Sequence, residues 1–475
     1  MSSPKTPAAQ GRSDSRPGPV FRFLAIFTVI HPAEIVKASL LFLNSFLIMF
    51  GYYQIKAVRE GLLLARHSAE IKSYLAVPQA ILLIFVVKAF SKVASRFPRH
   101  LLITYVTLFC ISNLILFNIL NWAGVSGAVM GIVFFIWIGM YNWFIPAQFW
   151  GFANDIYNEE QGKRLFPLIA FGATLGAVIG PPVAKLLIRL LAKVTFIPNF
   201  GSYGMMLVTG AILAVCILLT WIIHHRDLRE DREGGPATGA PPRSRAKEEP
   251  LDKSGGFRLI FQSRYLLLVA CIIGLYNFIN SLGETMFSIL QQRMALKALG
   301  ITAATGGAEL QNYISQAFAG YQGLTNLLAM LIQLFLVSRV FKHVGISGAL
   351  LFLPVIALGG YGYASFGVSL VFMKWAKAVE NGTDYSLMKT ARSGLFLITS
   401  RAEKYKAQMA IETFFVRAGD ALQAIVVWVG TTYLALSIER FAVINVAGCL
   451  VWIVLTVLVI REYGRVKAAG ARPER

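Results

Sequence analysis

Nine stretches of this chain carry no Asp, Glu, Lys or Arg and are long enough to cross about 30 Å of hydrocarbon as helices. They cover residues 38–55, 101–154, 165–184, 194–223, 265–283, 310–338, 344–373, 421–438 and 441–460. Some hold two spans, for example 101–154, which the turn residues of 121–127 divide. With 56% hydrophobic and 15% charged residues and a mean hydropathy of +0.61, the chain lies far outside the range of soluble domains. It reads as an integral, multi-pass, all-α membrane protein.

A net charge of +21 would suit a nucleic-acid partner, but the placement of the 45 Lys and Arg argues otherwise. With twelve spans and both termini cytoplasmic, most of them fall to the termini and the even-to-odd loops, as the positive-inside rule requires. The partner implied is the lipid bilayer, and no nucleic acid. Cys110, Cys216, Cys271 and Cys449 sit far apart in apolar runs and read as small buried hydrophobes, with no metal spacing. The six histidines fall at span ends or in loops, and no nucleophile elbow or phosphate-cradling glycine loop is present, so no enzyme, metal or cofactor is predicted.

Residues 1–33 read as a disordered N-terminus, without the apolar core of a cleaved signal, followed by an interfacial helix over 20–31. Residues 34–224 form a first six-helix bundle, 225–263 a cytoplasmic linker, 264–462 a second bundle and 463–475 a cytoplasmic tail. The linker carries GGPATGAPPRSRAKEEP, which has nothing with which to bury a core. Matched halves of this size suit a carrier working by alternating access. Span one is expected over 34–55 and span two over 74–87, and spans nine and ten on either side of 359–367. On span five, Gly172, Gly176 and Gly180 recur every fourth residue, the spacing that lets membrane helices approach closely.

The most unusual stretch is ENGTDYSLMKTAR, residues 380–392. After the charge-free 344–373, Lys374, Lys377, Glu380, Asp384, Lys389 and Arg392 arrive within a few helical turns. At about 100° per residue, Lys374, Lys377, Asn381, Asp384, Tyr385 and Arg392 share one helix face. An ionic group at mid-bilayer costs about 2.5–3.5 kcal/mol on insertion scales, so such a stripe is expected to face a water-filled path; a helix end snorkelling to the interface is the alternative. Further charges near membrane depth are Lys56, Arg59, Glu60, Glu284, Glu412, Arg417 and Asp420. A cationic surplus in an aqueous cleft suits an anionic substrate, and Arg suits bidentate phosphate contacts. About half of these charges are expected to pair internally, as Lys377 with Glu380 or Arg417 with Asp420, both i,i+3.

FGYYQIKAVREGLLLA (residues 50–65), FWGFANDI followed by GKRLFPLIAFGA, and residues 380–399 with the downstream KAQMAIETFFVRAGD resemble the ATP/ADP translocases of plastids and intracellular bacteria. That family is a branch of the major-facilitator-like carriers. The resemblance touches spans one, four, five, seven, eight, ten and eleven in order, and FWGFAN is its most distinctive piece. It implies that Lys56 and Arg59 stand at basic span-one positions of nucleotide transport and that Glu284 is the span-seven glutamate. It further puts Arg392 at a lysine position after the Tyr385-Ser386-Leu387 signature, and Lys163 and Arg164 at a basic pair. Ala57, Ser288, and Lys389 with Thr390 depart from the pattern, and Asp155 is the carboxylate nearest to a span four that lacks its own.

The expectation is therefore twelve transmembrane helices in two six-helix bundles, major facilitator-like. The chain would be a monomeric exchanger of phosphorylated anions, nucleotides first, in a bacterial inner membrane. Lys56, Arg59, Lys374, Lys389 and Arg392 would hold phosphates, Glu284 and Asp384 would form switching salt bridges, and Asn154, Asp155 and Tyr385 would complete the site. A carrier of another organic anion or of phospholipid, and a transport-inactive assembly partner, are the competing readings.

Overall fold

The computed structural model describes residues 31, 34–94, 97–194, 197–232, 256–302, 307–367, 369–400, 403 and 407–470. Among the described residues every regular element is a helix. The first six are α1 Ile35–Leu64, α2 Ile71–Ala94, α3 Arg99–Trp122, α4 Gly127–Ile156, α5 Glu159–Leu191 and α6 Phe200–Arg232. A short helix, Gly256–Gln262, precedes α7 Arg264–Leu299. Then come α8 Ala308–Leu331, which runs on through a π turn to Val337–Ala349, and α9 Phe352–Ala364. In α10, Leu370–Thr383 continues through a π turn at Asp384–Met388 into Lys389–Leu395. The main part of α11 is Val416–Thr432, and α12 is Ile438–Gly470. Nine helical stretches among the described residues are long and apolar enough to cross a membrane, and Ile71–Val87 and Phe352–Ala364 are shorter apolar helices. The twelfth segment, α10, is the one that carries the charged stretch.

The twelve segments bury two hydrophobic cores. One is built around Leu41, Phe134, Tyr203 and Met206 of α1, α4 and α6, and the other around Phe287, Tyr361 and Trp452 of α7, α9 and α12. In the first bundle α1 lies against α5 at the distance that glycine permits. A Cβ at Gly172 would stand 2.6 Å from the Phe42 carbonyl oxygen and one at Gly180 2.8 Å from that of Phe50; at Gly176 it would overlap the Phe46 carbonyl. The start of α5 is fixed by a capping box, in which Gln161 N donates to Asn158 Oδ1 (2.9 Å) and Asn158 N to Gln161 Oε1 (3.3 Å). Arg164 then donates to Glu34 (2.9 Å), tying the two helix starts together.

Several boundaries differ from the sequence reading for identifiable reasons. Helix α1 does not stop at residue 55 but runs to Leu64, carrying Lys56, Arg59 and Glu60 inside it, because their polar ends find partners in the protein interior. Helix α6 continues to Arg232, eight residues past residue 224, as a charged extension. Gly359, Gly360 and Gly362 lie within α9, so the turn before α10 falls after Ala364. The interfacial helix expected over 20–31 falls, apart from residue 31, outside the described residues.

Candidate substrate site

Between the two bundles lies a cavity of about 420 Å³. The first bundle supplies Tyr52, Tyr53, Lys56, Arg59 and Glu60 from α1 and Lys72 from α2. The second supplies Asn280 and Glu284 of α7, the stretch from Phe318 to Asn326 of α8, Asn381 and Tyr385 of α10, and Arg417 of α11. Four cations and two carboxylates therefore face this space.

The α1 wall is organised around Glu60, whose side chain is 2% exposed. One carboxylate oxygen accepts from the Arg59 guanidinium and the other from Lys72 Nζ at 2.7 Å. Arg59 also lies over the Phe135 ring, 4.7 Å from its centroid. Lys72 reaches across to the second bundle, donating to Ser288 Oγ at 2.8 Å. Lys56 is different: among the described residues it has no carboxylate within ion-pair distance, and its ammonium stands 5.0 Å from the Tyr53 ring centre and 5.8 Å from that of Tyr52.

On the opposite wall, Glu284 accepts from Asn381 Nδ2 (2.6 Å) and Tyr321 OH (3.1 Å) and lies 3.8 Å from Lys377 Nζ. Lys377 itself is fully buried behind the wall. It pairs with Glu380 at 3.1 Å and donates to Asn280 Oδ1 at 2.9 Å, while Tyr361 OH donates to Glu380 at 2.9 Å. Arg417 pairs with Asp420 at 3.0 Å, and Asp420 also accepts from Asn277 and Ser281.

Hydrogen bonds that cross between the bundles among the described residues run from mid-depth to one end of the molecule. Asn326 donates to the Ala177 carbonyl (2.6 Å) at mid-depth. Nearer the end, Gln423 donates to Ser73 Oγ (2.9 Å) and Thr285 Oγ1 (3.0 Å). At the end itself, Gln292 donates to the carbonyls of Leu64 and His67, both at 2.7 Å. This end is opposite the one where α6 leads into the interdomain segment. Ion pairs at that other end, such as Lys37 with Asp227 (3.0 Å), stay within one bundle.

Of the residues expected at the site, Lys56, Arg59, Glu284 and Tyr385 line the cavity. Asp384 is instead buried in a 3.0 Å pair with Arg392, whose guanidinium covers the Tyr276 ring at 4.9 Å. Neither is in the cavity lining, nor are Lys374 and the exposed Lys389. The helical wheel fails here because the π turn over Asp384–Met388 rotates everything after it out of the register of Lys377 and Asn381. Asn154 lines a separate hollow with Lys163, and Asp155 pairs with Arg99 at 3.2 Å. Lys72 was missed: it precedes the apolar run of span two, and hydropathy assigns it to a loop. Its amphipathic signal, a lysine two turns before Gln79 on an otherwise apolar helix, is too weak to place it.

The family model described as TLC ATP/ADP transporter matches residues 128–463. The chain belongs to this family. Among curated relatives, ADP,ATP carrier protein 1 of Chlamydia muridarum (strain MoPn / Nigg) is 23% identical over 449 residues, covering 82% of this chain and 81% of its own length. ADP,ATP carrier protein 5 of Rickettsia felis (strain ATCC VR-1525 / URRWXCal2) is 21% identical over 499 residues, with 94% and 98% covered. These relatives are carriers, not enzymes. Among solved structures, an inward-facing bacterial homologue of the iron transporter ferroportin superposes with a TM-score of 0.61 at 11% identity, covering 90% of this chain and 99% of that one. An inward-facing, unoccupied bacterial homologue of the human lysosomal transporter Spinster gives 0.58 at 14%, with 92% and 99% covered. The fold is that of the major facilitator-like transporters, with twelve helices in two bundles.

Proposed function

We propose that this chain exchanges phosphorylated anions, nucleotides first, across a bacterial inner membrane. The observation that carries the reading is a cavity between the two bundles in which four cations face two carboxylates. Water-excluded walls strengthen such charges toward an anion, and an arginine presents a fork suited to phosphate oxygens. Family membership supports a nucleotide as the passenger.

The halves, α1–α6 and α7–α12, rock as a monomer about this cavity, with both termini on the cytoplasmic side. The hydrogen bonds of Lys72, Gln292 and Gln423 then close the external end, and the cavity is served from the cytoplasm. Outward opening requires breaking those bonds, and Glu284 changes partners among Lys377, Asn381 and the passenger as it does so. Arg59 and Lys56 take the phosphate oxygens, and Tyr385, 44% exposed on the cavity wall, meets the rest of the passenger. The test is counter-exchange with the purified chain in liposomes. Labelled nucleotide should accumulate only when the lumen is preloaded with a phosphorylated counter-substrate, and absence of uptake for every phosphorylated solute tried would reject the reading.

A further inference from the structure

The charges around the cavity balance almost completely, and that limits the charge of what can enter. Arg59 and Lys72 share Glu60, Arg417 is matched by Asp420, and Lys377 stands between Glu284 and Glu380. Counting the lining with these immediate partners, Lys56, Arg59, Lys72, Lys377 and Arg417 exceed the four carboxylates by a single positive charge. That charge resides on Lys56, the cation left without a carboxylate partner among the described residues. Freeing a second cation would strip Glu60, 2% exposed, of its partner, and a buried carboxylate left alone is strongly destabilising.

The rest of the lining is neutral and of two kinds. Asn280, Gln322, Asn326 and Asn381 offer amide donors and acceptors, and Tyr53, Tyr321 and Tyr385 offer ring faces. Amide edges and tyrosine rings suit a flat, hydrogen-bonding heterocycle. At about 420 Å³ the space falls in the range of small-molecule sites.

Resting on the exchanger reading, we infer that the preferred passenger is a nucleoside carrying one phosphate, held by Lys56, rather than a di- or triphosphate. A phosphate monoester carries about −1.5 to −2 charge at neutral pH, close to what one surplus cation and the flexible donors of the amides can accommodate. Each further phosphate adds negative charge for which the cavity holds no unpaired partner among the described residues.

The experiment uses the full chain in liposomes with AMP, ADP, ATP and adenosine, a ladder that changes only phosphate number, in chelator to exclude metal complexes. AMP should exchange about tenfold or more faster than ATP, with ADP between and adenosine slow. Lys56→Gln should lower AMP exchange about tenfold or more, while Lys56→Arg retains most of it. ATP exchanging as fast as AMP would overturn the inference and leave the exchanger reading standing, and adenosine matching AMP would likewise overturn it. Absence of exchange for all four and for inorganic phosphate would overturn both. The comparison among substrates uses the unaltered chain, so it stands even if a Lys56 variant fails to fold.

Discussion

Helices α1 and α10 both carry ionic side chains at membrane depth, yet they spend them differently. Lys56, Arg59 and Glu60 of α1 all line the cavity. On α10, Lys377 and Glu380 are buried behind the wall, and Asp384 is buried against Arg392. Only the neutral Asn381 and Tyr385 of that helix line the space. A charge in a membrane helix is therefore not by itself a mark of a transport path. What separates the two helices is where the counter-charge comes from. On α10 Glu380 is three residues from Lys377 and Asp384 is eight from Arg392, whereas Lys56 has aromatic rings for neighbours and Arg59 shares its carboxylate with a lysine from another helix.

The comparison predicts that losing an α10 charge damages the fold first. Lys377→Met leaves Glu284 and Glu380 without their common cation in a buried site, and should cost about 3–5 kcal/mol. Thermal unfolding in detergent would read this as a large fall in midpoint or a loss of monodisperse protein. Adding Glu380→Gln to the same chain should restore part of it. A Lys377→Met variant that melts like the parent would remove the structural role assigned to this helix.

Losing an α1 charge should damage transport first. Arg59→Gln leaves Glu60 paired with Lys72, so the melting point should move little, while counter-exchange falls about a hundredfold. If both quantities fall together, α1 and α10 do not differ in the way described.

The smallest effect concerns the closed end. Ser288→Ala removes the acceptor by which Lys72 reaches the second bundle, a bond worth about 0.5–1.5 kcal/mol in net terms. Exchange should persist, with a leak of preloaded substrate in the absence of counter-substrate raised about two- to tenfold. An unchanged leak would show that this bond does not hold the external end shut.

Much of this architecture was legible in the sequence because lipid imposes simple rules. Apolar run length gave the spans, the distribution of Lys and Arg supplied an orientation, and Gly172, Gly176 and Gly180 announced the close approach of α1 and α5. The i,i+3 pairs Lys377–Glu380 and Arg417–Asp420 were also visible, since they depend only on helix geometry. The site was legible in part. Arg59 and Glu284 carried their own signal as charges within apolar surroundings. Lys72 did not, because a lysine at a span end looks like any loop lysine until Glu60 and Ser288 are seen around it. Arg392 was misplaced because one π turn, invisible to a regular helical wheel, shifts the face it occupies.

The account rests on α1 serving the passenger while α10 serves the fold. Its most direct test is the counter-exchange rate of two variants in parallel: Arg59→Gln, and the charge-neutral double variant Asp384→Asn with Arg392→Gln. The prediction is that the first loses exchange while remaining folded and the second keeps a rate within about threefold of the parent, because it removes a buried pair as a unit. A folded double variant without exchange, or an Arg59→Gln variant with normal exchange, would contradict it.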